Sequence, residues 1–169
     1  IRSAVEARKE LFVITPYFVL TKDDIEGFRR ARERGVDITV ITNSLAANNH
    51  APVHGAYYPT RKPLIQMGMN LYELRASLDE PADETLPKDA PIVTLHAKTF
   101  AVDRESIFIG SFNWNQRSVN RDTELGVIIH SPELATALVE RTSAKLPSAA
   151  FKISLDEKNN TQWTIIEDG

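Results

Sequence analysis

Residues 11–42 read LFVITPYFVLTKDDIEGFRRARERGVDITVIT, and the fold turns on this stretch. Its first five residues are a short apolar run suited to a buried strand, and VDITVIT, residues 36–42, reads as the next strand. Between them Ile25, Phe28 and Arg32 recur at helical spacing, Thr21 or Asp23 supplies an N-cap, and Gly35 ends the helix. Strand, helix, strand in this order is a βαβ unit, whose crossover favours a parallel pair. Further along, residues 57–67 read as a second helix whose start is blurred by Pro59 and Pro63, and residues 70–74 as a third strand. Residues 75–91, rich in Asp, Glu and Pro, read as a surface loop. Strands follow at 106–109 and 124–129, then a helix over 132–145 entered through Ser131 with Glu133 in its first turn. The tail AFKISLDEKNNTQWTIIED reads as a hairpin turning near Lys158 to Asn160. The expected fold is therefore α/β, a mixed β-sheet flanked by helices on both faces with a C-terminal β-hairpin. With 42% hydrophobic residues the 169-residue chain can bury a core, and residues 1–169 are read as one domain.

The chemistry concentrates in residues 95–113, LHAKTFAVDRESIFIGSFN. Residues 93–102 alternate as one or two short strands, so His96 and Lys98 share a face. His96 is then a nucleophile or proton carrier, and Lys98 a fixed positive charge for phosphate oxygens. Ser111 and Asn113 add a hydroxyl and an amide that can bond a phosphoryl oxygen. Glu124 is a carboxylate that could orient the His96 ring. A lone His-x-Lys on a strand is a common accident. Its coincidence with Asp103, Gly110, Ser111, Asn113 and Glu124 sets this one apart. Asp103 has a plainer alternative, closing the turn at DRES, and Gly110 reads as a backbone device for close approach.

A second polar segment, residues 43–61 (NSLAANNHAPVHGAYYPTR), begins at the carboxyl end of a strand, where α/β sheets bind ligands. His54, Tyr57 and Arg61 are candidates to line a substrate channel; the alternative is that they cap the helix and fill its contact with the sheet. His50 and His54 stand four apart, but Pro52 breaks the helix that would align them on a metal. With Lys as a poor ligand and no cysteine in the chain, no metal or other cofactor is expected. Phe112 and Trp114 read as packing groups. Phe18, Val19 and Leu20 could offer an apolar rim to a membrane surface.

A net charge of −3 argues against nucleic acid as a partner, because domains that bind it are usually basic. No apolar run reaches the ~20 residues that span a bilayer. Absence of cysteine fits cytosol and periplasm alike.

The pattern His96, Lys98, Asp103, Gly110, Ser111, Asn113 reproduces HxKxxxxDxxxxxxGSxN, and on it the chain resembles the phospholipase D superfamily. The flanks ITPYF, ARERGVDITVITNS, VHGAYYPTRKPLIQMGMNLYEL and NWNQRSVNRDTELGVII resemble the second half of a bacterial cardiolipin synthase of that superfamily. One departure stands out: where the superfamily commonly has Asp in an NxDxRS pattern, this chain has Asn115, with Arg117 and Ser118 retained. The resemblance implies two motif copies meeting across a twofold interface, one histidine forming a phosphohistidine and the other protonating the leaving oxygen. In that frame His96, Lys98, Asp103 and Glu124 are catalytic, and Lys98, Ser111 and Asn113 bind phosphate. Whether His96 is the nucleophile or the general acid stays open. It further implies a phospholipid substrate, cardiolipin synthesis by phosphatidyl transfer, and a peripheral place on the cytoplasmic face of a bacterial inner membrane. The single motif copy and the opening on Ile1 in mid-pattern read as an excised C-terminal catalytic half whose partner half is absent. The rival is a metal-independent phosphodiesterase or nuclease that completes its site as a homodimer.

Overall fold

The computed structural model describes residues 6–48, 51–76 and 93–166. At its centre β1 (Glu10–Ile14) and β2 (Asp37–Asn43) run parallel, joined by α1 (Lys22–Glu33). The expected cap is present as a full capping box: Asp24 N–H donates to Thr21 Oγ1 at 3.1 Å, and Thr21 N–H donates back to Asp24 Oδ2 at 2.8 Å. Gly35 follows the helix at φ 86°, the left-handed conformation that glycine adopts without a Cβ clash.

The next helical stretch starts earlier than the sequence suggests. α2 (Ala51–Tyr57), a 3₁₀ turn (Tyr58–Thr60) and α3 (Arg61–Gln66) follow one another before β3 (Asn70–Leu74), which extends the sheet parallel to β2. Pro52 does not break this helix, because it sits in the first turn, where an amide hydrogen has no intrahelical acceptor to lose. Pro59 and Pro63 instead divide the remainder into short pieces.

β4 (Thr99–Val102), β5 (Ser106–Gly110) and β6 (Gly126–His130) add antiparallel strands beyond β1. On the other side β7 (Ala150–Leu155) and β8 (Thr161–Ile165) add the C-terminal hairpin beyond β3. The sheet has eight strands in the order β6-β5-β4-β1-β2-β3-β7-β8. The hairpin turns where expected, with Asn159 at φ 66° and Asn160 N–H on Asp156 Oδ1 at 2.7 Å. Two short helices were not read from sequence, α4 (Gln116–Asn120) and α6 (Leu146–Ala149). They flank α5 (Pro132–Ser143), which is capped by Ser131 Oγ accepting from Leu134 N–H.

Alternation along the central strands divides the core. Leu11, Val13, Ile38, Val40 and Leu71 point to one face, with Phe28 and Ala31 of α1 and Leu64 of α3. Phe12, Ile14 and Ile41 point to the other, with Ala135 and Val139 of α5 and Leu146 of α6. Both faces are thus covered by helices, as expected where central strands pair in parallel. Phe18 is 1% exposed and packs its ring on Phe28, Tyr57 and Trp114, so it belongs to the core and not to an apolar rim. Trp114 is equally a packing group, in contact with Phe18, Phe28 and Phe100. Among the described residues no helix is long and apolar enough to cross a membrane. The expected loop over 75–91 lies almost entirely outside the described residues, as does His50.

Candidate active site at the carboxyl edge of the sheet

Strand direction brings the motif together. β4 is antiparallel to β1 with Thr99 beside Ile14, β5 is antiparallel to β4, and Gly110 of β5 faces Gly126 of β6. The entry to β4, the exit from β5 and the entry to β6 therefore share the sheet edge where the parallel strands β1 and β2 end. Lys98, Ser111 and Glu124 occupy those three points. Gly110 makes the approach close: a Cβ there would lie 2.6 Å from the Leu125 carbonyl oxygen and 2.7 Å from the Phe108 ring, which itself stacks on Phe100 at 4.8 Å.

His96 and Lys98 do not lie in a strand. The ladder begins at Thr99, because β1 ends at Ile14 and offers no further partner; of residues 93–98 only Lys98 still bonds the main chain of a strand, its carbonyl accepting from Gly110 N–H at 3.1 Å. The two side chains nevertheless meet: Lys98 Nζ donates to His96 Nε2 at 3.3 Å and to the His96 carbonyl at 2.9 Å. Since ammonium can only donate, Nε2 accepts and the ring proton is left on Nδ1. Partial burial pushes the Lys98 ammonium below its ordinary range, with the Glu124 charge opposing. His96 itself is exposed.

Ser111 Oγ donates to Glu124 Oε2 and accepts from Leu125 N–H at 3.0 Å, while Ser111 N–H bonds the Leu125 carbonyl at 2.9 Å. Among the described residues no hydrogen bond joins Glu124 to His96; the carboxylate engages Ser111 and the charge of Lys98. Asn113 follows on the same loop, with its Oδ1 buried and without a protein partner. Asn115, where the superfamily pattern has Asp, caps α4 by accepting from Ser118 N–H at 2.9 Å, a task that Asp performs equally well.

Asp103 stands at the opposite end of β4, about 16 Å from Lys98 at ~3.3 Å per residue. Its carboxylate accepts from the backbone N–H groups of Arg8 (3.0 Å), Lys9 (2.7 Å) and Glu10 (2.9 Å). Burial raises its pKa, but donation from those amides outweighs it and holds the carboxyl below the usual range. The structure thus brings His96, Lys98, Ser111 and Glu124 to one edge and leaves Asp103 at the other, tying down the chain before β1.

The residues expected of a channel form a separate cluster. Arg61 is 1% exposed, with Nε on Glu73 Oε1 at 2.6 Å and Nη2 on His54 Nε2 at 2.7 Å. Its guanidinium lies over the rings of Tyr57, Tyr58 and Trp163 at 4.9, 4.9 and 5.1 Å. Trp163 Nε1–H closes the arrangement on Glu73 Oε2 at 2.9 Å. Burial, and then the Arg61 charge, lower the pKa of His54. A cavity of about 260 Å³ adjoins, lined in part by Ser44, Leu45, Tyr58 and Trp163. Reasoning from the sequence missed Glu73 and Trp163, which meet Arg61 only through strand pairing.

The chain has relatives both in sequence and in fold. The family described as "Cardiolipin synthase, PLD-like domain" matches residues 1–145, and the chain belongs to that family. Cardiolipin synthase C of Escherichia coli K12 is 37% identical over 154 residues, which are 89% of this chain and 32% of that protein. The chain thus spans about a third of that relative. Among solved structures, phosphatidylserine synthase of Haemophilus influenzae aligns with a TM-score of 0.68 and 18% identity, over 89% of this chain and 35% of that one. The phospholipase D family member Nuc of Salmonella typhimurium aligns with a TM-score of 0.64 and 20% identity, over 87% and 84%. At these identities the two structures bear on the fold alone.

Proposed function

We propose that this chain supplies one half of a phospholipase D-type site that moves a phosphatidyl group from one phospholipid to an alcohol of another, the chemistry of cardiolipin synthesis. The observation that carries this reading is the Lys98 ammonium on His96 Nε2 at the sheet edge that also holds Ser111 and Glu124. One histidine of the pair, His96 or its counterpart in the second motif copy, attacks phosphorus, and the P–O bond to the leaving alcohol breaks as the other histidine protonates that oxygen. The acceptor hydroxyl then loses its proton to the same imidazole and displaces the phosphohistidine, which restores both rings. Lys98 and Asn113 bind the phosphoryl oxygens, where charge accumulates, and Ser111 joins them by turning its one hydroxyl proton from Glu124 to the phosphate. Glu124 holds Ser111 and lies within electrostatic reach of Lys98, and any orienting effect on His96 passes through them. Asp103 keeps β4 in register against the chain before β1.

The second half would pack on the free β6 edge. Ile109, Leu125, Val127 and Ile128 expose between 49% and 81% of their surface there, next to Glu124. Contact with the cytoplasmic membrane surface would be peripheral. A homodimeric phosphodiesterase or nuclease is the second reading, favoured by the match over 84% of the Salmonella protein and opposed by the net charge of −3.

The test is a rapid quench of turnover on a lipid diester with chelator present, followed by assay for an acid-labile phosphoryl group on protein. Label retained through chelation, and lost when the histidines of both motif copies are replaced, is the expected result. Chelator-sensitive turnover without a labelled protein would reject the mechanism. Light scattering then separates the readings, because a dimer of this chain active alone favours the second.

A further inference from the structure

We propose that Asn43 is the positioning residue for His96; this rests on the reading of His96 as a reacting group. The segment carrying His96 lies outside the ladder of β4, which begins at Thr99, and its C-terminal end is tied to β5 by Gly110 N–H on the Lys98 carbonyl at 3.1 Å. On the N-terminal side of His96 the tie is of another kind. Asn43 Oδ1 accepts from Leu95 N–H at 2.9 Å, and Asn43 Nδ2 donates to the Leu95 carbonyl at 3.0 Å. One side-chain amide thereby reproduces the paired bonds of a β-bridge on the residue before His96, from 52 positions away in sequence. The same Nδ2 lies 3.4 Å from the Pro16 carbonyl, just beyond β1.

Asn43 is suited to the task by its own placement. It is 1% exposed and closes β2, a central strand paired on both sides, with its backbone in register opposite Leu74. The anchor is rigid, and the contact it makes fixes the Leu95 peptide in position and in tilt, because donor and acceptor are both used. A carboxamide presents donor and acceptor on separate atoms of one short planar arm, as bonding both main-chain groups of one residue requires. The line of contact continues from Leu95 to His96, whose carbonyl and ring both receive Lys98. Displacing the Leu95 peptide therefore shifts the imidazole and its bond with the ammonium, while the Lys98 backbone stays tied to Gly110. A shift of about 1 Å in a reacting group can cost ~100-fold in rate, whereas removal of a remote stabilising bond does not.

The experiment uses the assembled two-motif protein and a lipid diester. Asn43→Ala is expected to lower kcat about 100-fold with KM little changed, and to abolish hydrogen-exchange protection of the Leu95 amide. Thr42→Val is the control: its hydroxyl bonds the Pro16 carbonyl at 3.3 Å and does not reach Leu95, so kcat should persist. If Asn43→Ala does not fold, Asn43→Asp serves, since it keeps the volume and the bond from Leu95 N–H but loses both donations; kcat should again fall. Wild-type kcat in a folded Asn43 variant overturns the proposal. So does a loss in Asn43→Ala matched by Thr42→Val and tracking their melting temperatures. His96→Ala run alongside separates the levels: inactive His96→Ala with active Asn43→Ala sinks only the positioning role, and active His96→Ala sinks the mechanism with it.

Discussion

The molecule places a histidine, a basic side chain and a carboxylate together twice, and the two clusters have opposite surroundings. At the sheet edge His96 is exposed and Lys98 is half-buried, with its ammonium bonded to the ring and carbonyl of His96 and, among the described residues, to no carboxylate. Between α3, β3 and β8, His54, Arg61 and Glu73 are 5%, 1% and 1% exposed, and the Arg61 charge is already covered by a carboxylate and three rings. The first cluster has capacity left for an anion. The second has its charges paired internally, although His54 Nδ1 is buried without a hydrogen-bond partner, and its effect is to fasten the C-terminal hairpin to the sheet. Composition alone does not tell a reactive site from a structural one; exposure and a charge left without a salt-bridge partner do.

The comparison breaks most visibly at Arg61. Arg61→Ala leaves Glu73 buried without a partner and should cost about 3–5 kcal/mol, lowering the melting temperature by about 10 °C or more. Replacing Arg61 and Glu73 together by Met and Leu should return much of that loss, which thermal melts of the single and double variants would show. If Arg61→Ala melts like wild type, the buried cluster is not the anchor described.

Lys98→Ala should do the reverse. Turnover falls about 100-fold, as for loss of a preorganised donor to developing charge, while the melting temperature hardly moves. A stability loss as large as that of Arg61→Ala would erase the distinction between the clusters.

Asp103 sharpens the contrast within one strand, since it ends β4 opposite the reactive edge. Its folded-state pKa is depressed, so its contribution is present above the ordinary carboxylate range and is lost as pH falls through the folded value. Asp103→Asn should cost about 2 kcal/mol at neutral pH, and the gap from wild type should close in acid. Melting curves from pH 7 down to about pH 2 would check this; a gap independent of pH would contradict it. Trp163→Phe, which loses the bond to Glu73 and leaves a smaller ring beside Arg61, should cost about 1 kcal/mol.

Much of this was legible in the sequence, for identifiable reasons. Strand and helix periods act within a few residues, so β1, α1, β2, β3 and the hairpin follow from patterns such as LFVIT and Ile25-Phe28-Arg32. His96 and Lys98 are likewise a local pair, close enough to meet whether or not a strand contains them. What was not legible depends on where neighbours stop. Alternation in residues 93–102 looks like strand throughout, but its first part extends past the end of β1. Arg61 finds Glu73 and Trp163 by pairing across β3, β7 and β8, and Asn43 finds Leu95 across the end of β1; no spacing within either segment announces such contacts. Pro52 misled for a related reason, because a proline that breaks a helix interior fits a helix's first turn.

The central claim, that the exposed cluster reacts and the buried one only holds, is tested most directly by His96→Ala in the two-motif assembly, with turnover and melting temperature measured on the same sample. Turnover reduced by ~10³-fold or more at an unchanged melting temperature is the expected result. Near wild-type turnover, or a loss explained by unfolding, would contradict it.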